Sequence, residues 1–305
     1  MARFLVRRIL LGLVVMWFAT IVVFALSRAA GDPRHLFVSE YSTQEHWDQW
    51  GINLGLDRPL PMQYLMWLGK AIKFDFGNSL YFHDEPKKII AERWLPTFQL
   101  AVGAYTFGLL LGIPLGIWSA IARGTSLDLF ARSLALFGQA MPGFWFGIML
   151  ILLFSVQLGW LPTSGMGSWK NFILPSITLG WFPAAGILRL IRSSMLDTLD
   201  SEYIKFARAK GVSRWKIIWK HALRNSAVVP MTYAGILLAA FITGAVVTES
   251  VFSWPGLGRL SVQAVRNQDF PVLSALVILF TATFLIVNLA IDLLYRVIDP
   301  RIRIN

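Results

Sequence analysis

Apolar residues gather along the chain into six long runs that are nearly free of charge, centred on 9–27, 97–121, 133–157, 171–188, 226–248 and 271–291. A bilayer's hydrocarbon core takes roughly 20 apolar residues per helix, so each run is long enough to cross one. None alternates apolar and polar positions, and each is about twice the ~10 residues of a barrel strand. Helix is the predicted state of all six. Pro114, Pro175, Pro183 and Pro230, inside or at the ends of runs, are expected to kink or break their helices.

The pattern changes in three other segments. Residues 29–95 mix Trp47, Trp50, Trp67 and Trp94 with Gly, Pro and balanced charge, which predicts an ordered cap with short helices near 43–50 and 59–73 rather than a tether. Residues 195–225 are basic and hinged at Gly211. There Asp200 or Ser201 offers a helix cap, and Tyr203, Phe206 and Ala207 share a face at i, i+3, i+4. A second helix begins near Ser213, with Trp215, Ile218, Trp219, Ala222 and Leu223 in helical spacing and Lys216, Lys220 and Arg224 to one side. Alone, that pattern also fits a helix lying on an anionic membrane surface. Trp254 to Arg259, with Pro255, Gly256 and Gly258, predicts a re-entrant turn or a short surface helix.

Arg3, Arg7 and Arg8 precede the first run as they would in a secretory signal. Its apolar region is 19 residues long, and Arg28 occupies the would-be cleavage site, so 1–28 is read as a retained anchor. With the N-terminus inside and six crossings, the inner segments hold 17 of the 28 basic residues and six of the 17 acidic ones. The whole net charge of +11 then falls on the cytosolic side, which is the bias expected of an inner-membrane protein with both termini in the cytosol. The basic balance is thereby explained by topology, and a nucleic-acid partner is not expected.

Absences narrow the chemistry. The chain has no Cys, and its four His are scattered, so neither thiol chemistry nor a metal site is expected. It holds no phosphate-cradling Gly-rich loop of the Walker type. The one carboxylate near span depth that could relay protons is Asp292, four residues before Arg296 and read as its helix-end partner.

The string EYIKFARAKG at 202–211, followed by HALRN at 221–225 and by Pro230, resembles the cytosolic coupling loop of bacterial ABC-importer permeases. That loop's consensus is Glu-Ala-Ala, three residues, Gly, nine residues, Ile and a later Pro. Gly211 stands at its glycine and Pro230 near its proline. Lys205, Phe206 and Ala207 replace Glu-Ala-Ala and His221 replaces Ile, as in the variant form of the dipeptide and oligopeptide branch. GDP at 31–33, LGLDRPLPMQYLMWLG at 54–69, DFGNSL at 75–80, AMPGFWFGIMLILLFSV at 140–156, LPTSG at 161–165, TESVFSWPGLGRL at 248–260 and DLLYRVIDPRIR at 292–303 are similar to the first permease subunit of such systems.

The resemblance implies an all-α, six-span type I importer permease. Its permease domain would be 96–296, with the coupling loop at 195–225 and a cytosolic tail at 297–305. It implies pairing with a homologous second permease, and one or two cytosolic ATPase subunits that bind the ATP and Mg. This chain would then be no enzyme and would carry no cofactor. Contact with the ATPase is expected at Glu202, Tyr203, Phe206, Ala207, Arg208, Ala209, Lys210, Gly211 and Arg214. An extracytoplasmic binding protein would deliver solute onto the cap and onto Trp254, Pro255, Gly256, Gly258 and Arg259. Di- or oligopeptides are the leading solutes, with nickel complexes, glutathione or another small solute as alternatives. Gln139, Ser155, Gln157, Thr178, Ser274, Thr281, Thr283 and Asn288 supply uncharged polar groups at span depth, either for a path or for bonds between helices. The substrate-binding residues remain unassigned. A secondary carrier would need its own coupling-ion site, against which the charge-poor spans argue; a non-transporting membrane scaffold is the other class of alternative.

Overall fold

A computed structural model describes residues 2–29, 34, 43–53, 55–79, 81–242 and 245–298, and all of the regular structure among them is helical. The GDP motif at 31–33, Leu80, residues 243–244 and the tail from 299 lie outside the described residues, as do the side chains of Asp292 and Arg296. The chain divides into two compact units, one of residues 1–94 with 260–289 and one of residues 95–259 with 290–305.

In the first unit α1 (Ala2–Ala29) is followed by α2 (Gln44–Asn53) and α3 (Leu60–Ala71). The two short helices of the expected cap are thus present. Pro59 and Pro61 open α3, where a missing N–H leaves no bond unmade. The helix packs on α1 through rings: Phe24 lies 5.5 Å from Tyr64 and 5.9 Å from Trp67. Farther along, the Ser79 hydroxyl donates to the carboxylate of Asp269, and both residues are buried.

The elements that follow are α4 (Pro86–Ile121), α5 (Ser126–Ala140), α6 (Gly143–Leu150, continued by π-helical turns over Ile151–Gln157) and α7 (Trp169–Leu199). In the second unit, α4 and α7 approach closely enough to need small residues. Gly108, Gly112 and Gly116 recur every fourth position on α4, and a Cβ at Gly112 would lie 2.8 Å from the Ala184 carbonyl oxygen. One at Gly116 would lie 2.9 Å from the Leu188 carbonyl, and one at Gly180 only 2.4 Å from that of Ala104. Lipid tails supply no hydrophobic drive between helices, so dispersion across such a small-residue seam is what holds them. Ile117, Ile187, Ile191 and Met195 close the core beside it.

Four helices are long and apolar enough to cross a membrane, Leu5–Ala29, Pro86–Ile121, Trp169–Leu199 and Phe270–Ile291, and a bent pair would make five. The bent pair corrects the expectation of one straight helix over 133–157, because α5 and α6 meet at 108°. Pro142 is the cause. Its ring excludes the helical conformation from the residue before it, and Met141 is extended at φ −83°, ψ 131°. Pro114, Pro175 and Pro183 instead lie inside continuous helices and do not break them. The run expected at 226–248 is shorter as helix: α11 spans Val228–Ile242, with Pro230 in its first turn. After the coupling segment described below, α12 (Val246–Val251), α13 (Leu257–Arg266) and α14 (Phe270–Ile298) complete the chain.

Candidate functional site

The segment between α7 and α11 forms α8 (Glu202–Ala209), α9 (Arg214–Lys216, running on through π-helical Ile217–Ala222) and α10 (Leu223–Ser226). Ser201 stands at the N-cap of α8, but its hydroxyl donates back to the Thr198 carbonyl at 2.5 Å rather than capping forward. Asp200, the other expected cap, ends α7 and pairs with Arg123 at 3.4 Å. Gly211 terminates α8 at φ +74°. The bonds there, Gly211 N–H to the Arg208 carbonyl at 2.9 Å and Val212 N–H to the Ala207 carbonyl at 3.1 Å, are those of a Schellman turn. A Cβ at Gly211 would meet nothing within 4 Å, so conformation alone, and not close approach, calls for glycine.

The faces differ from the expected ones. On α8 the fully buried residue is Ile204, while Phe206 is 67% exposed and Tyr203 also faces outward. On the second helical run Ile217, Ile218 and Ala222 turn into the core, and Trp215 and Trp219 turn out, their rings 5.3 Å apart. The π-helical turns are the reason. They put more residues into each turn, so positions three and four apart no longer stay on one face. The result is a surface on which Phe206, Trp215 and Trp219 stand among Arg208, Lys210, Arg214, Lys216 and Lys220, all exposed. Glu202 faces out as well, paired with Lys205 at 2.8 Å, and Ala209 is exposed beside the turn.

Two features missed in the sequence brace this segment. The Asn225 amide donates to the Tyr203 hydroxyl and to the His221 carbonyl, each at 2.9 Å, joining the first residues of α8 to the end of the second run. Above it, buried Asp128 accepts from Arg192 Nε at 2.8 Å and Nη2 at 3.0 Å, from the Ser119 hydroxyl at 2.7 Å and from the Gly124 amide at 3.1 Å. That single carboxylate ties α4, α5 and α7 together at the end from which the segment hangs. A groove of about 510 Å³ runs between them, with Arg123, Asp200, Arg208 and Arg214 on its lining.

The turn after α12 is built inward. Trp254 is 1% exposed and donates from Nε1 to the Pro96 carbonyl at 2.9 Å, and Gly256 and Gly258 are buried as well. Of the five residues expected to meet a binding protein, only Pro255 and Arg259 reach the surface, each partly. The centre is Glu249, which accepts from the Thr97 hydroxyl at 2.8 Å and from the Arg259 amide at 2.9 Å; Thr97 in turn accepts from the Leu257 amide at 2.7 Å. Burial pushes the Glu249 carboxyl above its ordinary range, while these donors pull it back. A Cβ on Gly256 would lie 2.4 Å from that carboxyl group, which accounts for the glycine.

At span depth, Thr281 and Asn288 bond carbonyls of their own helix at 2.8 Å, and Ser155 reaches the Pro162 carbonyl at 3.2 Å. Three polar groups on α7 behave differently. Ser176 Oγ, Thr178 Oγ1 and Trp181 Nε1 are buried without a hydrogen-bond partner among the described residues. Each lies against a glycine of a neighbouring helix, Gly103, Gly147 and Gly138 respectively. Of the three, only Thr178 stood out in the sequence.

Residues 112–304 match the family described as the binding-protein-dependent transport system inner membrane component, and residues 1–81 match its N-terminal membrane component. The oligopeptide transport system permease protein AppB of Bacillus subtilis (strain 168) is 36% identical over 314 residues, covering 99% of each chain. The glutathione transport system permease protein GsiC of Escherichia coli (strain K12) is 36% identical over 305 residues, again covering 99% of each. Among solved structures, an inward-facing form of the MetNI methionine ABC transporter superposes with a TM-score of 0.59, covering 70% of this chain and 97% of that one; at 17% identity it shares the fold.

Proposed function

The chain belongs to the family of inner-membrane components of binding-protein-dependent transport systems, and from that premise we propose that it forms the membrane pathway for di- and oligopeptides in an ABC importer. In this reading both termini face the cytosol, and a homologous second permease completes the path. Separate cytosolic ATPase subunits bind the ATP and Mg and do the hydrolysis, so this chain is no enzyme and holds no cofactor. An extracytoplasmic binding protein delivers the solute from the opposite side.

The observation that carries the reading is the outward surface of the segment between α7 and α11. Its inner face is fixed by fully buried Ile204 and Ala222, while Phe206 and Trp215 remain 67% and 69% exposed amid basic side chains. A segment so braced moves as one piece. ATPase subunits that grip it and close on ATP would shift the spans between outward- and inward-open arrangements, the differential contact at the loop supplying the free energy. Buried aromatics with a cationic rim are the composition that interfaces favour. Within the path, the unpaired polar atoms of Ser176, Thr178 and Trp181 are the candidates for transient contact with a peptide backbone.

Proteoliposomes holding both permeases and the ATPases, given the binding protein and a labelled peptide, test the proposal. Uptake should require ATP and vanish when the ATPase active site is inactivated. Uptake without nucleotide would make the protein a secondary carrier, and full ATPase stimulation without uptake would make it a scaffold. Glutathione, itself a tripeptide, is the second reading, because the glutathione permease matches this chain at the same identity as the oligopeptide permease. Competition between the two labelled solutes separates them.

A further inference from the structure

We propose that a crevice between α1 and α3 is a binding site for one phospholipid, with the lipid phosphate on Arg28 and an acyl chain along the apolar wall below it. The crevice has a volume of about 690 Å³. One wall is a single stripe of α1, because Trp17, Ile21, Phe24, Ala25 and Arg28 recur at i, i+4, i+7, i+8 and i+11. The other wall is the first turns of α3, with Leu60 and Tyr64. From Trp17 to Arg28 the stripe rises roughly 16 Å at 1.5 Å per residue. That is about half of a ~30 Å hydrocarbon core, or one leaflet.

The chemistry of the lining specifies its occupant. The one polar group near its middle, the Tyr64 hydroxyl, already shares a hydrogen bond of 2.9 Å with the Thr20 hydroxyl, so this depth presents hydrocarbon and rings. The cation stands at one end. Arg28 lies in the last turn of the span Leu5–Ala29, with its guanidinium 5.2 Å from the centre of the Phe24 ring. Such a position sets a cation at the headgroup level, where it attracts phosphate, and Tyr64 and Trp67 are the aromatic residues that favour the same level. On α3 the exposed side chains Leu60, Met62 and Leu65 continue the apolar surface at the crevice mouth. A ligand for this site must be apolar for about one leaflet and anionic at its end, which describes a glycerophospholipid and excludes a soluble peptide or nucleotide. The inference depends only on α1 crossing the membrane; the proposed orientation decides that the leaflet is the outer one.

The test uses the whole importer complex purified in mild detergent, with bound phospholipid counted by native mass spectrometry. Wild type should retain one phospholipid through a detergent wash that strips the rest. Arg28→Gln should lower the retained fraction by about fivefold, the factor expected of one surface cation, and Arg28→Lys should restore most of it. Ala25→Trp, at an exposed position, should displace the lipid while leaving Arg28 in place. Added inorganic phosphate should not compete, since it lacks the chain. Retention unchanged in both Arg28→Gln and Ala25→Trp would overturn the proposal. A photoreactive residue at position 25 in an otherwise native chain gives a second readout: crosslinks to lipid support the site, and crosslinks to the second permease would make the crevice a protein interface instead.

Discussion

The amide of Asn225 reaches across 22 positions of chain to the hydroxyl of Tyr203 at 2.9 Å, and so closes the segment between α7 and α11 into a loop with fixed ends. Force applied to exposed side chains at its tip is carried to α7 at one end and to α11 at the other. Without the bond, α8 could swing on Ser201 while the second helical run stayed in place.

Tyr203→Phe and Asn225→Ala should therefore weaken coupling without removing the protein from the membrane. A partly exposed hydrogen bond contributes about 1 kcal/mol, so the loss should be less than tenfold. Stimulation of ATP turnover by loaded binding protein, measured on reconstituted complex, reads it; unaltered stimulation in both variants would show that the bond does not brace the loop.

At Gly211 the structure separates two explanations that the sequence leaves joined. With open space around the missing Cβ and φ at +74°, Gly211→Asn should be tolerated, since Asn accepts the left-handed region. Gly211→Val should cost roughly 1–2 kcal/mol in the turn and uncouple ATP turnover from transport. If Asn and Val were equally harmful, a contact made by a partner at Gly211 would be the better explanation.

Asp128 and Arg192 form the most enclosed ion pair among the described residues, with 2% and 22% of their side chains exposed. Removing one partner leaves the other charge buried, so Asp128→Ala should lower stability by roughly 3 kcal/mol. Replacing both, as Asp128→Leu with Arg192→Met, should be milder than either single change. Thermal unfolding of the solubilised complex measures the cycle, and additive losses would show that the two charges act independently.

These three cases mark what the amino-acid sequence discloses and what it hides. A membrane span is legible because burying some twenty apolar side chains in lipid is a property of one contiguous segment. The ends are less so: at 36 residues α4 is roughly 54 Å long, and its polar first turns carry no apolar signal. Pro142 was in plain view within AMPG, yet apolar residues on both sides concealed the 108° bend. The outward turn of Trp215 and Trp219 depends on a local change of helix period that no residue type announces. Glu249 and Thr97 lie 152 positions apart, so their bond, and with it the inward packing of Trp254, becomes visible only in three dimensions.

The Glu249 centre can be tested directly. Glu249→Ala leaves the Thr97 hydroxyl and the Arg259 amide without their acceptor, at about 1–3 kcal/mol for each buried group left unpaired. The turn should loosen, so that Trp254 becomes accessible to an aqueous quencher and the complex unfolds at a lower temperature. Unchanged quenching of a variant in which Trp254 is the sole tryptophan would mean that the turn is held by other contacts.

The last prediction concerns the charges of the coupling segment, which serve either an ATPase or the membrane surface. Arg208 and Arg214 line the groove with Arg123 and Asp200, and neither side chain bonds another among the described residues. Lys210 lies beside Gly211 at the turn. Lys216 and Lys220 flank the Trp215–Trp219 pair instead, an arrangement that suits a membrane surface as well as a protein. Single exposed charges contribute roughly 0–1 kcal/mol, but several at one desolvated contact contribute more. Reversing Arg208 and Lys210 to Glu should therefore release the ATPase from solubilised complex, and reversing Lys216 and Lys220 should release less of it. Pull-down of the ATPase by each double variant decides. Equal retention would favour membrane adhesion for the whole segment, whereas greater loss from the second pair would move the ATPase contact onto the tryptophan face.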